Sequence, residues 1–242
     1  MLLTCMKCLS ENGFPNLNFK RPEITDDGVY KLECDKGHVS YEIMQNEKFE
    51  VLFDMGVDAL NSRYKHEAVA CFTTALERFH EWFINLILLK RGIDEDDFNK
   101  TWKYVSKQSE RQVGAFYFLY LLEFNEVPEM VNNNMTSFRN GVIHKGYIPT
   151  YEEVCNYGEY ILSYIRRIIN KLGTDYDKFI LNMTFNKQIN LRQKYKLENE
   201  LIASGAHNTI ISLTCKDKVH NNMTFKEALE SVKKREELFG GV

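Results

Sequence analysis

Two short segments near the start of the chain have the residue types and spacing of a metal-binding site. Two residues separate Cys5 from Cys8, and three separate Cys34 from His38. A two-residue gap lets two thiolates converge on one ion around a tight turn, and Gly37 gives the second segment the backbone freedom it needs. Three thiolates and one imidazole suit tetrahedral zinc, and a complete shell of protein ligands predicts a structural rather than a catalytic ion.

The residues around these ligands resemble a zinc ribbon, in which two knuckles are joined by β-hairpins. Residues 29–32 and 39–43 have β-type composition and flank a tight turn at 35–37. The alternative is that the cysteines are ordinary thiols in a small β module. We favour the metal, because a segment of this size with few large aliphatic side chains lacks a core sufficient to fold alone.

A second group of reactive side chains lies in the sequence FRNGVIHKGYIP at 138–149. Near the predicted end of a helix, Asn140 and His144 share one face, whereas Arg139 is turned ~140° away from His144. One regular helix therefore does not bring Arg139 and His144 together. Either a distorted helix end at Gly146 or a second copy of the motif from a partner chain would do so.

These residue types suit the cleavage of a phosphodiester. A guanidinium group offers a fixed fork of donors that matches phosphate oxygens, and an imidazole transfers protons near neutral pH. In RNA the ribose 2′-hydroxyl attacks the adjacent phosphorus without a metal, so the protein needs only to position the strand, move protons and stabilise charge.

The motif Arg139-Asn140-x3-His144, followed by Lys-Gly-Tyr-Ile-Pro-Thr and a long amphipathic helix, resembles the signature of HEPN (higher eukaryotes and prokaryotes nucleotide-binding) domains. In that family an arginine precedes a histidine by four to six residues, and a polar residue, often asparagine, follows the arginine. The helix with the sequence ALERF at 75–79 resembles the long early helix of such bundles. The resemblance covers roughly residues 46–172.

The resemblance implies an all-α bundle that dimerises, so that two motif helices build one composite cleft. It also implies a metal-independent endoribonuclease that leaves a 2′,3′-cyclic phosphate, with a role as a toxin or in anti-phage defence. Carried onto this chain, the resemblance makes Arg139 the ligand of the phosphate and of the transition state. His144 then transfers the proton, and Asn140 orients His144. Glu77, on the facing helix, is an accessory polar group.

Two alternatives stay open for this motif. In the first, Arg139 caps a helix or forms an ion pair at the surface, and His144 is favoured at a helix end by the dipole. In the second, the bundle and ribbon form a non-catalytic module that binds RNA or a protein. For the nuclease, we predict that Lys145, Arg166 and Arg167 contact the substrate. A solvated helix face is the competing explanation for Arg166 and Arg167. The basic stretch at 187–196 is more simply explained as an amphipathic helix than as an RNA-binding stripe.

The elements that must position these residues follow from apolar spacing and end signals. Helical spacing runs through 49–60, 69–86 and 113–124, and an acidic run at 94–97 marks a helix start. Pro128 is predicted to open a helix that ends near Gly146. Thr150 and Glu153 form a capping box for a helix that stops near Gly173.

The sequence therefore predicts a mainly α chain with three regions. A small β zinc ribbon at 1–45 precedes a HEPN-like helical bundle at 46–172, and a C-terminal accessory region at 173–242 is mixed α/β or helical. In that last region we expect a helix within 187–201, a strand at 210–215 and a final helix at 225–239. Cys71, Cys155 and Cys215 are dispersed, which is typical of core fillers.

Composition limits the classes of function. The 242 residues are 44% hydrophobic and carry a net charge of −3, which excludes nucleic-acid binding by bulk charge, so RNA must bind a local surface. We expect no signal peptide, because no basic segment followed by an apolar run opens the sequence, and no apolar run approaches the ~20 residues of a membrane span. We expect a cytoplasmic protein with zinc and no catalytic metal. Its expected partners are RNA, a second copy and a neutralising or regulatory protein, but no membrane.

Overall fold

The computed structural model describes residues 3–14, 20, 22–198, 200–214 and 222–239. Within these ranges the chain forms two compact units. The first, called the sheet unit, contains the described residues up to Asn46, Leu181–Asn208 and those from Lys234 onward. The second, called the helical unit, contains Glu47–Ile180 and the described part of Thr209–Lys233. Residues 173–242, which the sequence sets apart as one region, are divided between the two units.

The described chain is mainly helical, with one small sheet. The strands are β1 (Val29–Glu33), β2 (Val39–Met44) and β3 (Ile202–Gly205). The helices are α1 (Met6–Asn12), α2 (Lys48–Asn61), α3 (Lys65–Lys90), α4 (Glu95–Val105), α5 (Ser109–Phe124), α6 (Asn133–Lys145), α7 (Tyr151–Leu172), α8 (Asp177–Lys194) and α9 (Phe225–Phe239), with a 3-10 turn at Gly173–Tyr176. This confirms the predicted class, a helical bundle with a small N-terminal β region.

The sheet unit is built on the predicted hairpin. β1 pairs antiparallel with β2, with Val29 opposite Ile43, and β3 adds to the other edge of β2 in parallel. Val29 and Ile43 are buried against Leu191 and Leu197, so the C-terminal part of α8 covers the sheet with apolar side chains. The third strand was not predicted, because its sequence IASG has small residues and no alternating pattern.

In the helical unit, α3 is the central element and packs against α2, α5, α6 and α7. Its apolar residues recur at helical spacing and are buried along the length of the helix. The fully buried aromatic side chains of this unit include Phe49, Phe53, Phe72, Phe79, Phe83 and Phe116. Truncation of one such phenylalanine to alanine typically costs about 3–5 kcal/mol, so this cluster fixes how the helices pack.

The helix ends follow local capping chemistry. Asp94 caps α4 by accepting the Asp97 N–H at 2.9 Å, and the predicted capping box of Thr150 and Glu153 opens α7. The prediction that Pro128 opens a helix is wrong. α6 begins at Asn133, because the Asn132 side chain accepts the Asn134 N–H at 2.8 Å and caps the helix there.

The predicted strand at 210–215 is also wrong over its described residues, 210–214. Side chains bind its backbone in place of a strand: Asp54 accepts the Ile210 N–H at 2.8 Å, and Glu50 accepts the Leu213 N–H at 2.9 Å. The helix predicted within 187–201 belongs to α8, which begins earlier and ends at Lys194. The final helix at 225–239 is confirmed. Within the described part of the chain, no helix is both long and apolar enough to cross a membrane.

Candidate functional site

The four predicted metal ligands lie together in the sheet unit. The Sγ atoms of Cys5, Cys8 and Cys34 and a ring nitrogen of His38 all lie within 4.8 Å of one another. His38 Nδ1 is 3.4 Å from Cys8 Sγ and 3.9 Å from Cys5 Sγ, and Cys8 Sγ is 3.9 Å from Cys34 Sγ. The two pairs of side chains, 26 or more positions apart in sequence, therefore converge on one point.

The spacing of these atoms fits a tetrahedral metal ion. Metal–sulfur bonds of about 2.3 Å and metal–nitrogen bonds of about 2.0 Å place ligand atoms roughly 3.5–3.8 Å apart around such an ion. The three distances of 3.4, 3.9 and 3.9 Å lie close to this range, whereas a disulfide would bring two sulfurs to about 2.05 Å. The cysteines are free thiols, and with His38 they could hold a metal ion.

Two tight backbone turns present the ligands. Cys5 is the N-cap of α1 and its Sγ accepts the Cys8 N–H at 3.5 Å, so the first turn of the helix holds both sulfurs on one side. After β1, the Gly37 N–H bonds the Cys34 carbonyl at 2.8 Å and the Cys34 N–H bonds the His38 carbonyl at 3.0 Å. Gly37 has a φ of 75°, which a residue with a Cβ adopts only with strain.

The thiols differ in how readily they lose a proton. Burial, reinforced by the neighbouring thiols, raises the pKa of Cys8 to about 11. Burial also acts on Cys34, but the backbone N–H groups of Lys36 and His38 donate to its sulfur and lower its pKa below the usual value. A bound cation would supply the positive charge that three adjacent thiolates require.

A carboxylate that was not predicted from the sequence lies behind His38. Glu11 Oε2 is 3.5 Å from Nε2 of His38, on the opposite side of the ring from the nitrogen that faces the sulfurs. Glu11 is in α1, three residues after Cys8, so one helical turn connects it to the ligand cluster. That i+3 spacing was the signal available in the sequence.

In the helical unit, Arg139 is held by two acceptors. Its Nη2 donates to Glu77 Oε1 at 3.0 Å and its Nη1 donates to Asn140 Oδ1 at 2.8 Å. The side chains of Arg139 and Glu77 are 21% and 28% exposed, so the pair is partly shielded from water but still reachable. Thr73 and Tyr157, which share a 3.0 Å hydrogen bond, join α3 to α7 one turn before Glu77.

The rest of the predicted motif lies at the exposed end of α6. His144 and Lys145 are both exposed, and His144 has no hydrogen-bond partner among the residues that the structure describes. α6 is unbroken through Lys145, and the left-handed residue Gly146 follows the motif. The helix is therefore not distorted between Arg139 and His144. The structure brings Arg139 together with Asn140 and Glu77, and His144 extends toward solvent from the next turn.

The loop after α6 returns along the helix. The Tyr147 N–H donates to the Gly141 carbonyl at 3.0 Å, and the Tyr147 hydroxyl donates to the Glu153 carboxylate at 2.9 and 3.1 Å. Tyr147 remains 45% exposed. In the sequence Tyr147 belongs to the segment that follows the Arg139–His144 motif, and its residue type predicted no role.

The two predicted arginines of α7 differ in their contacts. Arg166 donates to the backbone carbonyl of Met223, and to that of Ile210 at 3.1 Å, and burial lowers its pKa below the usual value. Arg167 is about half exposed and pairs with Glu129 at 2.6 Å. Arg166 is therefore occupied by main-chain contacts, whereas Arg167 lies at the surface.

The remaining candidates are not part of either cluster. Cys71 and Cys155 are half-buried, and burial raises the pKa of both thiols. Cys215 lies outside the described residues. In the predicted basic stretch, Lys194 pairs with Asp27 at 3.0 Å and Lys187 donates to the Asn46 carbonyl at 2.9 Å, so both side chains contribute to the fold of the sheet unit.

Comparisons with protein-family models, with curated proteins and with solved structures found no match. Membership of the HEPN family therefore stays a prediction from the Arg139–His144 motif.

Proposed function

We propose that the helical unit is a metal-independent endoribonuclease of HEPN type. The observation that carries the proposal is that α6 holds both an arginine fixed by two acceptors and an exposed histidine with no hydrogen-bond partner among the described residues. Arg139 uses two of its five N–H groups on Glu77 and Asn140, which leaves three for phosphate oxygens. Because its plane is already oriented, the guanidinium loses little freedom when a phosphodiester binds.

His144 would transfer the proton in this reaction. The ribose 2′-oxygen forms a bond to phosphorus, the bond from phosphorus to the 5′-oxygen breaks, and the products are a 2′,3′-cyclic phosphate and a 5′-hydroxyl. One proton leaves the 2′-hydroxyl and one is delivered to the leaving 5′-oxygen. An imidazole near neutrality can carry out either transfer, and Arg139 stabilises the charge that develops on the phosphoryl oxygens.

A second chain would complete the site. α6 is regular between Arg139 and His144, so these side chains point ~140° apart on one helix. Two motif helices packed side by side would place the arginine of one copy near the histidine of the other. We therefore propose a homodimer as the active form.

The test is cleavage of labelled RNA by the full-length protein in the presence of EDTA, with metal analysis to verify that the N-terminal site keeps its ion. We expect cleavage by the wild type and loss of at least a hundredfold in Arg139→Ala and His144→Ala. Arg78→Ala is the matched control for the first, because Arg78 forms an ion pair with Glu81 at similar exposure, 26% and 27%. His66→Ala, at an exposed histidine of α3, is the control for the second.

The cleavage products and the activities of the variants decide whether the nuclease proposal holds. Products that carry a 2′,3′-cyclic phosphate, together with resistance of 2′-O-methyl RNA, support the proposal. Equal activity of Arg139→Ala and wild type would contradict it, as would activity that disappears with added chelator while the N-terminal ion is retained.

We propose further that the activity serves as a toxin or in anti-phage defence in the cytoplasm, where cellular RNA is the target. Induced expression of the wild type should then arrest growth, and Arg139→Ala, produced to the same level, should not. A neutralising partner would be recovered as a protein that restores growth when it is co-expressed. Growth arrest by both proteins would contradict this role.

For the Cys5, Cys8, Cys34 and His38 cluster we propose a structural zinc ion. The donor set of three thiolates and an imidazole supports zinc, since harder cations prefer oxygen ligands. Metal analysis should give one zinc per chain, with loss of zinc in Cys8→Ser and full retention in Cys71→Ser, a half-buried cysteine of the helical unit. Purified protein with an intact N-terminus and no zinc would contradict the proposal.

A non-catalytic binding module is the second candidate function. It is favoured by the Glu77–Arg139 pair itself, because the carboxylate neutralises the guanidinium that catalysis would use. In that case the full-length protein binds RNA or a protein, and Arg139→Ala weakens binding, but the wild type cleaves no RNA. Cleavage by the wild type excludes this alternative.

A further inference from the structure

Helix α5 carries an apolar face that the fold leaves uncovered. The segment 113–122 has no charged side chain, yet in the whole helix only Gln112 and Phe116 are buried. On the outer face Phe118 is 77% exposed, Leu122 is 59% exposed and Leu121 is 40% exposed. A surface helix normally directs polar side chains to water, so α5 departs from the usual amphipathic pattern.

The loop that follows α5 extends this face. Its Val127 and Met130 side chains are 86% and 65% exposed. The Val131 N–H donates to the Tyr117 hydroxyl at 3.4 Å, and this bond holds the loop alongside the middle of the helix. The exposed apolar side chains of the loop therefore adjoin those of α5. We call these five residues the α5 surface: Phe118, Leu121, Leu122, Val127 and Met130.

The two glutamates of the loop are neutralised by cations from α7. Glu126 pairs with Lys171, and Glu129 pairs with Arg167 at 2.6 Å. The Lys171 amine also lies 5.1 Å from the centroid of the Phe124 ring, which keeps this end of the loop against α5. The loop therefore presents no unbalanced charge that would select an acidic or a basic partner, and two copies of it can approach without unpaired like charges.

The size of the α5 surface matches what a contact between two copies requires. A fully exposed side chain of these types has roughly 150–200 Å² of surface, so at the observed exposures the five residues offer about 600 Å². That area equals the upper limit of the largest apolar patch on a typical monomer, about 600 Å². Two such surfaces together bury about 1,200 Å², which is the lower limit for a specific, stable interface.

We propose that the α5 surface is an interface between two copies of this chain, related by a two-fold axis. Phe118 has the largest side chain of the surface and lies on one helix face with Leu121 and Leu122, so it packs against α5 of the partner. This contact differs from the pair of α6 helices in the proposed function, and it does not depend on RNA cleavage. The exposed residues of α6 ahead of the motif are all polar: Asn133, Asn134, Thr136 and Ser137.

The experiment measures the mass of the full-length protein by sedimentation equilibrium at concentrations up to about 100 µM, where an interface of this size should form. The wild type should have the mass of a dimer, or of a tetramer if the α6 helices pair as well. Phe118→Glu should raise the dissociation constant of this contact at least roughly 30-fold, the lower limit for a central hot spot, and so reduce the mass. Leu122→Glu, at a second exposed position, should act in the same way. Tyr104→Glu, at a 76% exposed tyrosine of α4, is the control and should match the wild type.

The masses of the variants decide whether the proposal holds. A wild type that stays monomeric overturns it, and this is also the result expected if a different protein covers the α5 surface. Wild-type mass in Phe118→Glu and Leu122→Glu, with circular dichroism showing that both are folded, overturns it as well.

A variant of α6 separates this contact from the dimer of the proposed function. Ser137 is exposed on α6. If Ser137→Arg becomes monomeric and Phe118→Glu does not, the copies pair through α6, so this inference is overturned and the proposed function is not. A wild type that dimerises through α5 but cleaves no RNA contradicts the proposed function alone and supports the α5 interface.

Discussion

Arg139 Nη2 donates to Glu77 Oε1 at 3.0 Å, and this bond connects residues 62 positions apart in sequence. It joins α6, which carries the motif, to the central helix α3. Asn140 accepts from the other terminal nitrogen of Arg139 at 2.8 Å. The guanidinium plane is therefore set by one acceptor from its own helix and one from the helix that it packs against.

The first prediction concerns the role of Glu77 in this arrangement. We expect Glu77→Leu to lower RNA cleavage by roughly 10- to 100-fold, because the guanidinium loses the acceptor that orients it. Glu77→Gln keeps a neutral acceptor of the same shape and should retain most of the activity. Stability should change by less than about 1 kcal/mol in Glu77→Gln, since the pair is partly exposed.

The measurement is kcat/KM on labelled RNA, together with urea unfolding of each variant. Glu81→Gln is the control, because Glu81 forms the neighbouring ion pair on α3 with Arg78. Should Glu77→Leu cleave RNA faster than the wild type, Glu77 competes with the phosphate for Arg139 rather than positioning it.

The second prediction concerns Glu11, which lies behind the His38 ligand. Its carboxylate is 3.5 Å from Nε2 and favours the tautomer in which Nδ1, the nitrogen facing the sulfurs, is free to bind a metal. We expect Glu11→Gln to weaken zinc affinity roughly 10-fold and Glu11→Leu up to about 100-fold. Competition with a chromophoric chelator measures both, and Glu33→Gln, at an exposed glutamate of β1, is the control. Unchanged affinity in Glu11→Leu would show that Glu11 is only a surface charge.

Some features of this chain could be predicted because they depend on residues close in sequence. The Cys-x2-Cys and Cys-x3-His spacings each form a local turn, and the hairpin between them needs only the Asp35–Gly37 turn. The capping box at Thr150 likewise spans one helical turn. The contact between Cys8 and His38, which are distant in sequence, could be predicted as well, because a tetrahedral metal ion needs four ligands and each local turn offers only two.

Other features depend on distant partners that no local pattern specifies. β3 is a strand because β2 offers it an edge, and its own four residues have no strand pattern. Residues 210–214 have strand-like composition, but Asp54 and Glu50 bind their backbone N–H groups instead. In the same way, periodicity placed Arg139 on a helix, whereas its bond to Glu77 depends on how α6 packs against α3.

The third prediction concerns Arg166, which the sequence suggested as a substrate contact. Its guanidinium binds the Met223 and Ile210 carbonyls, which favours a structural role. We expect Arg166→Ala to lower the free energy of unfolding by about 2–4 kcal/mol, because its charged hydrogen bonds to two partly buried carbonyls are lost. Arg167→Ala is the neighbouring control and should cost less than about 1 kcal/mol, since its pair with Glu129 is exposed. Weaker RNA binding by Arg166→Ala without any loss of stability would instead support a substrate contact.

The last prediction concerns His80, which is buried in the core of the helical unit. Its ring lies 4.3 Å from the Phe116 ring centroid, and the Tyr164 hydroxyl is 3.5 Å from its Nε2. Nδ1 has no hydrogen-bond partner among the described residues. Burial lowers the pKa of His80 to about 3, far below the value of about 6.5 expected in the unfolded chain.

Because the folded state binds the proton less readily than the unfolded state, His80 makes the protein less stable as the pH falls. The loss begins near pH 6.5 and continues toward pH 3, and between pH 7 and pH 5 it amounts to about 2 kcal/mol. His80→Phe removes this titration, so its free energy of unfolding should fall about 2 kcal/mol less than that of the wild type over the same interval. Urea unfolding at pH 5, 6 and 7 measures the difference, with His66→Phe, at an exposed histidine of α3, as the control. Parallel pH profiles of wild type and His80→Phe would mean that His80 becomes protonated in the folded core as readily as in the unfolded chain.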